Sequence, residues 1–186
     1  MRLIVGLSGA SGQIYGVRLL EFLNKKTDIE VHLVISNAAK IILEHETGYS
    51  VEYVRSLADY YYDISDVGAR ISSGSFKCDG MIIIPCSIKT ASSIANSINH
   101  NLMIRAADVM LKQKKRLVLV VRETPLHSGH LKNLLKLSNL GAIIFPPVPA
   151  FYFKPKSIED IVNHTIGRVL DFFDIRHELY KPWDGV

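Results

Sequence analysis

Short uninterrupted apolar runs alternate along this chain with longer stretches in which apolar positions recur every three or four residues. The runs Leu3 to Leu7, Val31 to Ile35, Met81 to Ile84, Leu117 to Val121 and Ala142 to Phe145 read as strands buried on both faces. Helical spacing predicts helices over Gln13 to Asn24, Ala38 to His45, Val51 to Ala58, Thr90 to Ser97, Leu102 to Lys114, Leu131 to Leu140 and Ser157 to Phe173. A further edge strand is expected around Ala69 to Ser72. Strand followed by helix, repeated, predicts a three-layer, doubly wound and mostly parallel α/β sheet. The chain shows no internal repeat and no dividing linker, so one domain is expected over residues 1–186, with a C-terminal tail from about residue 174. Pro146, Pro147 and Pro149 stiffen a loop that presents Phe151 and Tyr152.

The length, 186 residues, is enough to bury a core without disulfides or metal. No apolar run approaches the roughly 18 residues that a membrane helix needs, and the start of the chain does not resemble a cleavable signal, so a cytoplasmic protein without a membrane partner is expected. The cysteines, Cys78 and Cys86, are too few for a disulfide scaffold or a cysteine-built zinc site. Lys and Arg number 22 against 18 Asp and Glu, a net charge of +4. That excess suits a small anionic ligand but is weaker than a dedicated nucleic-acid protein carries. Tyr60, Tyr61 and Tyr62 lack interleaved basic residues, which suggests packing or subunit contact rather than a base-stacking platform.

In a doubly wound sheet, ligands sit beyond the carboxyl ends of the strands. The first such turn, Gly6-Leu7-Ser8-Gly9-Ala10-Ser11-Gly12, combines small residues, hydroxyls of Ser8 and Ser11, and an approaching helix N-terminus, a combination that can cradle a phosphate. Gly-x-x-Gly turns also join strand to helix for purely steric reasons. The turns after the other strands offer Ser36 and Asn37; Pro85 to Thr90 with Lys89; Arg122 to Pro125 with Glu123; and the proline-rich loop with Tyr152. Arg105 and Lys112 lie seven residues apart and share a helix face, where Asp108 can pair with Arg105. Arg168 sits in the last helix beside Thr165 and Asp171. Pattern alone makes Glu46 an exposed helix end, Cys86 a small buried apolar group, and His127 with His130 loop polar groups lacking a third metal ligand.

Taken in order, Ser-Gly-Ala-Ser-Gly at 8–12, Ser36, Glu46-Thr47, Pro-Cys-Ser-Ile-Lys-Thr at 85–90, Arg105-Ala-Ala-Asp108, Arg122-Glu-Thr-Pro125, Pro-Ala-Phe-Tyr152, Arg168 and Trp183 resemble the UbiX-type flavin prenyltransferases. This family was formerly described as 3-octaprenyl-4-hydroxybenzoate or phenylacrylic acid decarboxylases. The resemblance implies a Rossmann-like or flavodoxin-like fold and FMN held by Gly9, Ala10, Ser11, Ser36, Ser87, Ile88, Lys89, Thr90 and Arg122. It implies dimethylallyl monophosphate held by Lys112, Arg122, Glu123, Tyr152 and Arg168, with Arg105 nearby and some groups from neighbouring subunits of a homododecamer. Trp183 would shield an allylic cation, Glu46 would take the flavin C6 proton with Ser11 and Ser36 assisting, and no metal is expected. The product would be prenylated FMN for a UbiD-type decarboxylase. Flavin-dependent cysteine decarboxylases resemble the chain around the turn after Ile84, but carry Asn where this chain has Lys89. A non-catalytic flavodoxin-like FMN electron carrier would leave Lys112, Tyr152 and Arg168 without a task.

Overall fold

The computed structural model describes residues 1–185. It divides into two compact units, Met1–Pro146 and the chain from Pro147 onward. The first holds a six-stranded sheet of β1 (Arg2–Leu7), β2 (Glu30–Ile35), β3 (Tyr60–Tyr62), β4 (Gly80–Cys86), β5 (Arg116–Val121) and β6 (Ile143–Ile144). The strands lie in the order β3-β2-β1-β4-β5-β6, and every pair is parallel. Helices α1 (Gln13–Leu23), α2 (Asn37–Thr47), α3 (Val51–Ser56), α4 (Ile88–Ala95), α5 (Leu102–Lys112) and α6 (Ser128–Asn139) complete this unit.

The central strands carry apolar residues at successive positions because both faces are covered, the arrangement a parallel sheet requires. Ile4, Met81, Ile83, Leu117 and Leu119 join one cluster with Ile94 of α4, Met103 and Met110 of α5, and Leu134 and Leu137 of α6. On the other face α1 lies against β1 and β4 through Gly16. A methyl group there would sit 2.7 Å from the Ile84 carbonyl oxygen and 3.0 Å from Leu7 Cγ, and the carbonyl belongs to the sheet and cannot retreat. Gly16→Ala is therefore expected to cost about 1–3 kcal/mol of stability, read as a lower urea midpoint with an unchanged slope.

One expected element falls elsewhere. Arg70–Ser72 forms a 3-10 turn that buries Ile71, and the edge strand is instead Tyr60–Tyr62. Three tyrosines become an edge strand because their rings find partners. His32 of β2, fully buried, stacks on Tyr60 at 4.9 Å and accepts or donates a hydrogen bond to the Tyr62 hydroxyl at 2.9 Å. The Arg70 guanidinium lies 4.0 Å from the Tyr60 ring centre, and its Nε donates to the Tyr62 oxygen at 2.7 Å.

The second unit is built on α7 (Ile158–Asp171). Ser157 accepts from the Asp160 backbone N–H while the Asp160 carboxylate accepts from the Ser157 N–H, so both ends of a capping box are closed.

Candidate active site

Strand order reverses between β1 and β4, and the crevice at their carboxyl ends is the place where such sheets bind ligands. Ser8, fully buried, clasps the two loops that leave this point. Its hydroxyl donates to the Pro85 carbonyl at 3.0 Å and accepts from the Ser87 N–H at 2.7 Å. Ser8 is therefore occupied within the fold and is not the free phosphate donor the sequence suggested. Gln13, also fully buried, donates from Nε2 to the carbonyls of Ser8 and Ala10, both at 2.8 Å. These two bonds turn the loop carbonyls inward. Gly9 is needed because a Cβ there would stand 2.6 Å from Ala38 Cβ at the start of α2.

Helix α2 runs two residues further than its apolar pattern, to Thr47, and carries Glu46 in its last turn. Glu46 Oε2 accepts from the backbone N–H groups of Gly12 at 2.9 Å and Gln13 at 3.1 Å, and its carboxylate also takes a hydrogen bond from the Ser11 hydroxyl. Glu46 is the exposed helix-end residue its pattern predicts, but its carboxylate is tied across the start of α1. A carboxylate already takes the first N–H groups of α1, so that helix terminus is not open to a phosphate. Burial pushes the Glu46 carboxyl up, but the hydrogen bonds from Ser11, Gln13 and Gly12, with the positive field of Arg122, outweigh it and hold the group below its ordinary value. The result is an ionised acceptor with a hydroxyl beside it.

An anion finds its donors one strand further on. Ser36 caps α2 through Ala39 N–H at 3.1 Å, and Ser87 caps α4 through Thr90 N–H at 3.2 Å while donating to Thr90 Oγ1 at 3.0 Å. Ile88 and Lys89 open α4, with Lys89 exposed. The Arg122 N–H donates to the Cys86 carbonyl at 3.0 Å, which brings the loop after β5 beside the loop after β4. Among the described residues neither Lys89 nor Arg122 is paired with a carboxylate. Lys89, the hydroxyls of Ser36 and Thr90, the N-terminus of α4 and Arg122, whose field also reaches Glu46, lie along one sheet edge and fit a dianionic phosphate such as that of FMN.

The neighbouring groups are less open. Glu123 Oε1 accepts from the Thr124 N–H at 3.1 Å. Cys86 is fully buried and its thiol is pushed up to about 12 by burial, which leaves it inert. His127 caps α6 by accepting from Gly129 N–H at 3.0 Å, with the His130 ring centre 3.6 Å from its own. No group of three or more His, Cys, Asp or Glu side chains is arranged to hold a metal among the described residues.

Helix α5 begins near the carboxyl edge and ends where β5 begins, at the opposite edge. Arg105 pairs with Asp108 at 3.5 Å. Lys112, exposed, is the last residue of α5 and close in sequence to Gln113 and Lys115, which lie by Gly74 and Cys78 at the amino edge. Arg105 and Lys112 share a helix face but stand about 10 Å apart along its axis, and one chain does not bring Lys112 to the Ser87 turn.

Tyr152, Arg168 and Trp183 belong to the second unit. There the Tyr152 hydroxyl lies 2.8 Å from His164 Nε2, and the Trp183 ring meets Tyr152 edge-on at 5.5 Å. A pocket of about 290 Å³ opens among Tyr152, Phe153, Lys181, Pro182, Trp183 and Asp184. Arg168 Nε is 3.4 Å from Asp171 Oδ2, both side chains being nearly half exposed. Gln13 and His164 were not marked by the sequence pattern, which treats a lone polar residue on an apolar helix face as part of the core.

The family model described as Flavoprotein matches residues 1–170. The flavin prenyltransferase UbiX of Escherichia coli K12 is 55% identical over 186 residues, covering 99% of this chain and 98% of that protein. The crystal structure of AnUbiX (PadA1) in complex with FMN and dimethylallyl pyrophosphate superposes with a TM-score of 0.97 at 47% identity, covering 100% of this chain and 98% of that one. A dodecameric FMN-dependent UbiX-like decarboxylase from Escherichia coli O157:H7 superposes with a TM-score of 0.98 at 49% identity over the full length of both.

Proposed function

The chain belongs to the flavoprotein family and, within it, to the UbiX-type flavin prenyltransferases, and from that premise we propose that it joins the dimethylallyl group of dimethylallyl monophosphate to N5 and C6 of reduced FMN. The observation that carries this reading is the donor set at the carboxyl edge, Ser87, Lys89, Thr90 and Arg122, in which neither cation forms a salt bridge among the described residues and the field of Arg122 reaches the ionised Glu46.

When bound, reduced FMN would supply the electron-rich N5 and C6, which bond to the two ends of the allyl unit. Ser87, Ile88, Lys89 and Thr90 hold its phosphate at the start of α4, while Gly9, Ala10, Ser11 and Ser36 contact the remainder and Arg122 serves both ligands. Arg105, Lys112, Arg122 and Glu123 of the first unit and Tyr152 and Arg168 of the second are the side chains for the prenyl phosphate, some of them supplied by neighbouring copies. Charge-assisted bonds to the departing dianion contribute roughly 1.5–3 kcal/mol each, enough in combination to stabilise the leaving group without a divalent ion. Lys112, at the amino edge of its own chain, acts in the site of a neighbouring copy, as in a dodecamer. Trp183 shields the allylic fragment from water. Glu46 would take the C6 proton, which balances the proton that the prenyl double bond gains on ring closure, with Ser11 and Ser36 orienting or relaying it. The product passes to a UbiD-type decarboxylase in the cytoplasm. No helix among the described residues is long and apolar enough to cross a membrane.

The test is to incubate the protein anaerobically with reduced FMN and dimethylallyl monophosphate, with and without a chelator, and to follow the flavin mass. One added prenyl unit, at the same rate with chelator, is expected. Loss of conversion with chelator would refute the metal-free reading. In a parallel incubation with oxidised FMN and a C-terminal cysteine peptide, oxidative decarboxylation of the peptide with reduction of the flavin would favour a cysteine decarboxylase, and redox cycling alone an electron carrier.

A further inference from the structure

The second unit carries a buried histidine that the reaction as described does not use. His164, on α7, is 7% exposed, and its Nε2 lies 2.8 Å from the Tyr152 hydroxyl oxygen. The imidazole is held on several sides. Phe153 stacks flat on it at 4.7 Å with 4° between the planes, Tyr152 meets it edge-on at 5.6 Å, and Tyr180 lies at 4.8 Å. A ring so enclosed keeps one orientation, and Nε2 remains aimed at the phenol.

The direction of this hydrogen bond decides what Tyr152 can do. If the phenol donates to Nε2, its oxygen offers only lone pairs to a ligand and repels a phosphate dianion. If Nε2–H donates to the phenol oxygen, the hydroxyl proton is released for an anion. We propose that His164 is a positioning residue that carries its proton at Nε2, turns the Tyr152 hydroxyl toward the prenyl phosphate, and so sets the affinity of this chain for that substrate. The proposal rests on the assignment of Tyr152 as a phosphate ligand.

The electrostatic surroundings agree with a neutral donor. Burial pushes the His164 imidazole below its ordinary value, and Arg168 adds to this while Asp171 opposes it. Tyr152 and Tyr180 are the other titratable groups facing the ring. Neutral His164 with its proton at Nε2 releases the phenol without adding charge. Protonation keeps Nε2–H and adds a cation near the phosphate. Wild-type affinity relative to a His164→Gln variant is therefore expected to rise as pH falls below 6.5, the ordinary histidine value, and taking the ratio cancels the titration of the phosphate itself.

The experiment measures dimethylallyl monophosphate binding to the FMN-loaded protein by calorimetry, with FMN affinity and melting temperature recorded for each variant. His164→Gln keeps an N–H donor and is expected to bind within about twofold of wild type. His164→Leu fills the space without a donor and is expected to lose about tenfold, roughly the worth of one hydrogen bond. Neither is expected to change FMN affinity. Tyr152→Phe is expected to lose about as much as His164→Leu, and adding His164→Leu to Tyr152→Phe is expected to cost nothing further. Wild-type affinity in His164→Leu, equal losses in His164→Leu and His164→Gln, or a His164→Leu loss that persists on the Tyr152→Phe background would each overturn the proposal. Wild-type affinity in Tyr152→Phe alone would remove the assignment of Tyr152 and this proposal with it. Failure of the wild-type protein to prenylate flavin would instead strike at the enzymatic reading.

Discussion

Glu46→Gln is expected to slow flavin prenylation about 10²–10⁴-fold, the range a positioned proton acceptor contributes, while FMN affinity stays within about twofold. The selectivity comes from how Glu46 is held. Its Oε2 accepts two backbone N–H groups at the start of α1, and a glutamine amide oxygen can accept the same two. The loop from Ser8 to Gly12 therefore keeps both backbone anchors, Ser11 turns to accept from the amide instead of donating to a carboxylate, and the ability to take up a proton is lost. Glu46→Ala would instead leave the Gly12 and Gln13 N–H groups without that acceptor and would mix a structural effect into the result. The pH dependence has a definite sign. Hydrogen bonds from Ser11, Gln13 and Gly12, outweighing burial, hold the carboxyl below its ordinary 4.5, so the acid limb that Glu46 imposes on the rate lies below pH 4.5 and vanishes in the Gln variant. Its contribution to stability is likewise present above 4.5 and lost as pH falls through the lowered folded value. Wild-type turnover by the Gln variant, followed by product mass, would remove Glu46 as the base.

The parts of this site that were legible in the sequence are those that local pattern controls. Parallel strands buried on both faces write themselves as unbroken apolar runs, which is why β1, β2, β4 and β5 and the turns after them could be located from residues alone. At one edge β6 also follows its predicted run, Ala142 to Phe145, but β3 at the other edge does not. Tyr60–Tyr62 pairs only with β2, and its rings are covered by His32 and Arg70, partners 28 residues before and 10 residues after Tyr60 in the chain. The clasp of Glu46 on Gly12 spans 34 residues, and no window along the chain could separate it from an ordinary polar helix end. Lys112 shows a different limit. A seven-residue spacing gives a shared face but not which end of the helix reaches which edge of the sheet. The alternation of strand and helix did contain that answer, because a helix leading into the next parallel strand must finish at the amino edge.

Arg168→Ala is expected to raise the dissociation constant of dimethylallyl monophosphate about 10–100-fold, equivalent to losing one charge-assisted hydrogen bond of roughly 1.5–3 kcal/mol, with FMN affinity unchanged. Arg168 is suited to exchange partners. It lies 3.4 Å from Asp171, whose carboxylate also serves His177 Nε2 at 2.9 Å and the Tyr180 hydroxyl. A carboxylate shared by three groups binds each less firmly, and an exposed ion pair of this kind contributes at most about 1 kcal/mol to stability. A phosphate dianion can therefore take the guanidinium from Asp171 at small cost, while His177 and Tyr180 keep the carboxylate satisfied. For the same reason the Ala variant should fold normally, with a melting temperature near that of the wild type, so weakened binding cannot be ascribed to a damaged second unit. Arg168→Lys retains the charge but not the planar fork and should fall between the two. Separate titrations of the two ligands decide the matter: parallel losses of FMN and prenyl phosphate in Arg168→Ala would show that Arg168 does not divide the site between them, whereas a loss confined to the prenyl phosphate would place the leaving group at this guanidinium.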